Sequence, residues 1–428
     1  MQIKPINKII GWETLLMISL WGGALRVLPF SKNLIWAVIL LALAFALSGM
    51  FLKNLSIGIK LTRENLRFYI LISMFFLWCL LTLMWSPIET SLLKTNDLLI
   101  LLNVLIPSMA LLIGSTQNSN LNRNWLAGMI LVSAPIFVYI SFLFFVAEES
   151  VYFTLFEQSK WEGVGGNYLV TSIALSSFFI ISFIRCFYYK RYRLMVFGSC
   201  ILAFWLLLQT GGRSPLIASI LSIGLFLLIK LKNRASIGLF ALIIFIFSIP
   251  LVYAGFFLYE NIDLISELIP FLARFEEDFI NQDLGELSSI GQRLIFFQLS
   301  LDLIAQQPLF GHGVLSWRYL AGIPYGETYP HNIFLDVLCD LGIVGLIIFL
   351  TIFFIALKSC FKLMRSSDSM ADNACALLFI TTSLISLSSG YIYVSILWPY
   401  MVLIVLIHTN HDRYINRNKA ISLNKSKL

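Results

Sequence analysis

FLDVLCDLGIVGLIIFLTIFFIAL, residues 334–357, decides what kind of molecule this is. A helix that crosses a bilayer needs about 20 consecutive, mostly apolar residues. This run supplies them, and its only carboxylates, Asp336 and Asp340, stand near its start. Behind it come Lys358, Lys362 and Arg365, and ahead of it Tyr329-Pro330-His331-Asn332, so its two ends differ in charge. Similar apolar runs recur on both sides, near 9–29, 33–52, 67–85, 95–114, 125–146, 168–188, 194–210, 214–230, 237–258, 373–389 and 391–408. The expectation is an all-α polytopic membrane protein with about 12 transmembrane helices, forming a single integral membrane domain over 1–428. The first run has no small-residue cleavage site behind it and reads as a retained span, not a signal peptide.

Composition agrees. Hydrophobic residues make up 59% of the 428, charged residues 12%, and the mean hydropathy is +0.86. Soluble domains carry about 25% charged residues, so most of this chain is built for a solvent other than water. A net charge of +7 could suggest nucleic acid. The basic residues instead lie scattered in short segments between apolar runs, where they set topology. The six cysteines sit in or beside apolar runs without C-x-x-C spacing, as small membrane-packed hydrophobes do.

With the N-terminus inside, 22 of the 30 Lys and Arg fall on the cytoplasmic side and 8 outside. That asymmetry follows the positive-inside rule and predicts two cytoplasmic termini. The basic tail, 409–428, reads as cytoplasmic and, beyond His411, as disordered. Two long segments fall outside. Residues 147–167 end in Gly163-Val164-Gly165-Gly166-Asn167, and residues 259–333 form a large loop between spans 9 and 10. A long loop on one face of a membrane protein is a natural seat for chemistry. Within it, 290–305 carries apolar residues at helical spacing and predicts an amphipathic helix.

Few cations remain on that outer face. Arg213 stands in Thr210-Gly211-Gly212-Arg213-Ser214-Pro215, a sharp turn between two apolar runs. It reads equally as a fixed fork for a lipid diphosphate or as an arginine that snorkels to phospholipid headgroups. Arg293, at the head of the amphipathic segment, fits a phosphate contact or an ion pair with the loop's acidic cluster. Arg318 and Arg274 are weaker candidates. His331 stands where the outer loop re-enters the membrane, and its unperturbed pKa near 6.5 suits general-base work. Asn332 could orient a substrate hydroxyl or the imidazole. Asp336 and Asp340, one turn apart, pair with arginine or line an acceptor cleft, since unpaired carboxylates at this depth are costly. Gly-flanked His312 belongs to a turn. Trp161, Trp317, Tyr319, Tyr325 and Tyr329 are candidate sugar-stacking surfaces by residue type.

These residues together resemble a known family. His331-Asn332, nine residues, then Gly342-Ile343-Val344-Gly345 is similar to the His-Asn-x9-Gly-x-x-Gly pattern of O-antigen ligases and related polymerases. Arg293 followed by Pro308-Leu309-Phe310-Gly311-His312-Gly313 resembles that family's arginine and P-L-x-G-x-G turn. Gly212-Arg213-Ser214-Pro215 resembles its outer-face arginine motif, with Leu216 three residues after the arginine where the family often has a leucine four after. Phe76-Leu77-Trp78 with Trp85-Ser86-Pro87 resembles its third-span motif.

The resemblance implies a GT-C-like fold and metal-independent, inverting glycosyl transfer without a cofactor. The site would lie on the periplasmic face of the bacterial inner membrane. The donor would be a glycan on undecaprenyl diphosphate and the acceptor the lipid A–core oligosaccharide. His331, Arg213 and Arg293 would carry the catalysis; Arg213, Arg293, Arg318, Asn332 and Asp336 would hold substrate. A repeat-unit polymerase, with the same chemistry and a different acceptor, is the nearest alternative. A transporter or flippase shares the span count, but the two halves of the hydropathy pattern do not mirror each other.

Overall fold

A computed structural model describes residues 12–21, 37–39, 41–48, 63–87, 121–145, 167–210, 212–230, 289–321, 329–389 and 397–425, with positions 25 and 28. All regular structure among these residues is helical. The numbered helices are α1 (Trp12–Trp21), α2 (Arg63–Thr82), α3 (Leu121–Phe145), α4 (Asn167–Tyr188), α5 (Arg193–Gln209) and α6 (Arg213–Lys230). They continue with α7 (Ser289–Gln306), α8 (Ser316–Leu320), α9 (Ile333–Ser366), α10 (Met370–Ser389) and α11 (Leu397–Lys425).

Six of the described helices are long and apolar enough to cross a membrane: most of α2, all of α3, most of α4, and α6, α9 and α10. The protein is therefore an all-helical, multi-pass membrane protein. Shorter apolar helices occupy Ala37–Ser48 and α5. The spans expected at 95–114 and 237–258, and the loop from 259 to 288, lie outside the described residues. Two expectations are corrected. Helix α9 continues beyond residue 357 to Ser366, well past the length that crosses the hydrocarbon core. The tail expected to be disordered after His411 is helical to Lys425. A helix already nucleated by its apolar part gains one hydrogen bond per residue added, and His408 and Asp412, one turn apart, approach to 3.4 Å.

The chain divides into two compact units, 1–23 with 30–132 and 296–428, and 24–29 with 133–295. In the first, α10 and α11 form the interior. Every residue from Leu397 to Thr409 is buried, so this stretch is apolar all round, as a helix enclosed by other helices is. Phe75, Phe76, Phe349 and Trp398 interlock around it, with ring centroids 4.7 Å apart for Phe75 and Trp398. Gly128 brings α3 against α1, since a Cβ there would stand 2.7 Å from Cβ of Met17. Beside that contact Thr14 Oγ1 donates to the Asn124 carbonyl at 2.8 Å and Asn124 Nδ2 to Glu13 at 3.0 Å. Glu13, a carboxylate in an apolar run, is thus held within a polar network at one end of the helices. Asn122 donates to Asp372 in the same unit.

In the second unit α4 packs on α5 and α6. Small hydroxyl residues make the crossings: Ser176 and Ser219 share a hydrogen bond of 2.5 Å, and Ser172 donates to Thr210 at 2.8 Å. Small residues let helices approach closely in lipid, where no hydrophobic drive pulls them together. The outward faces carry Phe45 and Val138, each 64% exposed, and Ile347, 59% exposed. Such a surface is at home only against hydrocarbon.

Candidate active site

The site begins with a break in α9. Gly342 has φ 65° and ψ −169°, a non-helical conformation inside an otherwise continuous helix. Only glycine enters such a region without steric penalty. The break leaves backbone groups of residues 339–344 without their helical partners, and in a membrane each must be satisfied by protein. The turn 308–313 does this. His312 N–H donates to the Cys339 carbonyl at 2.9 Å and Gly313 N–H to that of Asp340 at 2.8 Å. In return Ile343 N–H reaches the Pro308 carbonyl at 2.9 Å and Val344 N–H that of Leu309 at 3.3 Å. The two backbones touch. A Cβ on Gly311 would stand 2.5 Å from the Asp340 carbonyl, and one on Gly342 would stand 2.4 Å from the Leu309 carbonyl. The two glycine patterns of the sequence are the two halves of one backbone joint.

The end of α2 clamps the same joint. Trp78 Nε1 donates to the Leu341 carbonyl at 3.0 Å, Trp85 Nε1 to that of Gly311 at 3.1 Å, and Ser86 Oγ to that of Val314 at 2.8 Å. A Cβ on Gly345 would come within 3.3 Å of the Trp78 indole, so the second glycine of Gly-x-x-Gly makes room for that ring. His312 is buried in the turn with Nε2 2.8 Å from the Leu303 carbonyl, a structural place that agrees with its reading as a turn residue.

Asp340 anchors the chain that follows. Its carboxylate accepts from Leu315 N–H at 2.7 Å, Ser316 Oγ at 2.7 Å and Trp317 N–H at 3.1 Å, and so caps α8. Trp317 is enclosed, with Nε1 donating to Ser300 Oγ at 2.9 Å. This takes Trp317 out of the set of sugar-stacking surfaces and makes it part of the site's floor. Asp336 is also buried.

His331 sits on that floor. Its backbone is left-handed, φ 58°, which histidine tolerates better than most residues but at some strain. Its ring lies nearly parallel to Phe296, 5.9 Å away with 10° between planes, and 4.4 Å from the Tyr329 ring. Phe296 in turn meets the Trp317 ring edge-on at 5.5 Å. The imidazole is thereby oriented by α7 on one side and by its own approach segment on the other, while remaining partly accessible.

Asn332 has a structural task at the start of α9. It is the N-cap of α9: Oδ1 accepts from Phe334 N–H at 3.0 Å and Leu335 N–H at 3.2 Å, while Nδ2 donates to the Leu387 carbonyl at 3.0 Å. It fixes where α9 starts and ties that start to the end of α10. Arg293 stands on α7 one turn before Phe296 and is half-buried. Arg213 opens α6, where Gly212 packs so closely on Ser172 that a Cβ would stand 2.1 Å from its Oγ. Both arginines belong to the second compact unit and His331 to the first. Arg318 lies in α8, Tyr319 beside it is half-buried, and Trp161, Tyr325 and Arg274 lie outside the described residues. Among the described residues no group of three His, Cys, Asp or Glu is placed to hold a metal ion. Phe296 and the Trp78–Trp85–Ser86 clamp carry the geometry of the site. The resemblance marked the clamp without explaining it, and Phe296 had no signal beyond an apolar position on the amphipathic helix.

A helical membrane protein with a broken span, a loop locked into the break and an oriented histidine at the helix mouth is the class defined so far. Residues 198–350 match the O-antigen ligase family, and they take in Arg213, Arg293, His331 and the whole backbone joint. The family resemblance of the motifs thus holds for this segment. A Rickettsia conorii protein named "Putative polysaccharide ligase" is 30% identical to the chain over 135 residues, which is 28% of this chain and 33% of that protein. The matched segment spans a third of that relative's length.

Proposed function

We propose that this protein transfers a glycan from undecaprenyl diphosphate to the lipid A–core oligosaccharide at the periplasmic face of the inner membrane. The reading is supported by one observation: the segment similar to O-antigen ligases contains a histidine whose ring is oriented at the start of a helix broken at Gly342. In the proposed reaction His331 takes the proton from the attacking acceptor hydroxyl. The new glycosidic bond forms at the anomeric carbon as its bond to the diphosphate oxygen breaks on the opposite face, which inverts the centre. Arg213 and Arg293 stabilise the negative charge that gathers on the departing diphosphate. Asp336, buried in the first turn of α9, and Arg318 are assigned supporting roles toward substrate, and Asn332 acts by holding the start of α9.

The test is a lipopolysaccharide gel, read beside undecaprenyl-linked glycans, for cells carrying the parent chain, a deletion or His331→Asn. Bare core with long chains accumulating on the carrier is the expected result for the deletion and the variant alike. Core bearing a single repeat assigns the chain to polymerisation instead. No change in either pool refutes glycan transfer of this kind.

A further inference from the structure

The second unit holds a feature that glycosyl transfer does not use. Between the end of α4 and the start of α5 lies a cavity of about 530 Å³ lined by Phe183, Phe187, Phe197 and Cys200, with Arg193 among its lining residues. The joining turn is tight. Tyr192, with φ 58°, precedes α5, and the Cys186 thiol lies 3.8 Å from the Arg193 carbonyl, which ties the two helix ends together. Arg185, Lys190, Arg191 and Arg193 crowd this end, all exposed. There is no Asp or Glu anywhere from 167 to 230 to balance them. Tyrosines interleave with the cations: the Arg185 guanidinium lies 5.9 Å from the Tyr189 ring centre and that of Arg191 4.9 Å from that of Tyr192. Tyrosine and basic residues together mark the level of lipid headgroups.

An apolar cavity with Arg193 in its lining, and three further cations at the same helix ends, fits a ligand with an apolar body and an anionic head. We propose that it binds one anionic diacyl phospholipid of the surrounding leaflet, an acyl chain between Phe187 and Phe197 and the headgroup phosphate on Arg193. Basic pockets between membrane helices recognise anionic headgroups in this way, and the start of α5 adds its own partial positive charge. Free phosphate leaves the apolar lining unexplained. A second copy of the chain would set this basic turn against itself.

The test uses the purified full-length protein in detergent, offered equal amounts of palmitoyl-oleoyl-phosphatidylglycerol and the matching phosphatidylcholine, with retained lipid counted by native mass spectrometry. The parent should retain phosphatidylglycerol in preference. Arg193→Gln should lower that preference about five-fold, the effect of one lost cation near the headgroups. Arg193→Lys should keep most of it. Arg365→Gln, a basic change in the other unit, should leave it intact. Equal retention of the two lipids by the parent, an Arg193→Gln protein as selective as the parent, or an equal loss in Arg365→Gln overturns the proposal. So does a dimer that forms in place of lipid adducts and is broken by Phe197→Ser. The readout is lipid retention, so its failure leaves the transfer reaction standing, and failure of the transfer reaction leaves the lipid site standing.

Discussion

In the proposed reaction His331 has a chemical role beside its backbone one, and the two can be separated by substitution. Its left-handed conformation is tolerated by asparagine at least as well as by histidine. His331→Asn should therefore accumulate in membranes at the parent's level, as an immunoblot would report, while transfer measured on the gel falls by 10² to 10⁴, the usual worth of a general base. His331→Ala mixes that loss with added strain. Phe296 acts through the histidine, holding the plane of its ring. Phe296→Leu keeps the apolar volume and removes the stack, worth about 0.5–1.5 kcal/mol. It should slow transfer several-fold, and Phe296→Tyr should restore the rate. An unchanged rate in Phe296→Leu would remove the positioning role.

At the scale of the element, α9 is two helices joined at Gly342. The joint is held by backbone contacts too close for any side chain, so its tolerance to substitution is low at both glycines. Gly342→Ala adds a Cβ 2.4 Å from the Leu309 carbonyl in a conformation alanine avoids. The expected loss is at least 1–3 kcal/mol, seen as a lower melting temperature in detergent. Because Gly311 meets the same joint, Gly311→Ala combined with Gly342→Ala should cost less than the two separate losses together. Asp340 holds the next stretch. Asp340→Ala would leave three buried donors without an acceptor, each worth about 1–3 kcal/mol, and membrane levels of the protein should drop. Asp340→Asn, which keeps one acceptor oxygen, should recover part of the loss. These elements show where sequence reading stopped. Gly311 and Gly342 were each visible within a motif of its own, but their shared cause lies in a contact between positions 31 residues apart, which no local pattern encodes. Asn332 was legible as a polar group at the mouth of the span, but its work as the cap of α9 was not, because a helix cap and a substrate ligand use the same amide group.

For the whole molecule, the charge asymmetry predicts a testable topology. Alkaline phosphatase fused after residue 411 should be inactive, and the same enzyme inserted within 259–288 should be active. The reverse pattern would place the histidine on the wrong side for a periplasmic acceptor. Hydropathy by itself determined that this is an all-helical membrane protein and where most of its helices run, because crossing a bilayer needs only a local run of apolar side chains and internally bonded backbone. The motifs by themselves determined which segment resembles the ligases. Tertiary structure alone decided that α9 is broken and filled by the turn 308–313, that Asp340 and Asn332 serve as caps, and that Phe296 faces His331. Apart from the Asn332 cap, which bonds its own helix start, these are contacts between distant parts of the chain, and in the joint they are set by backbone groups that must find partners once water is absent.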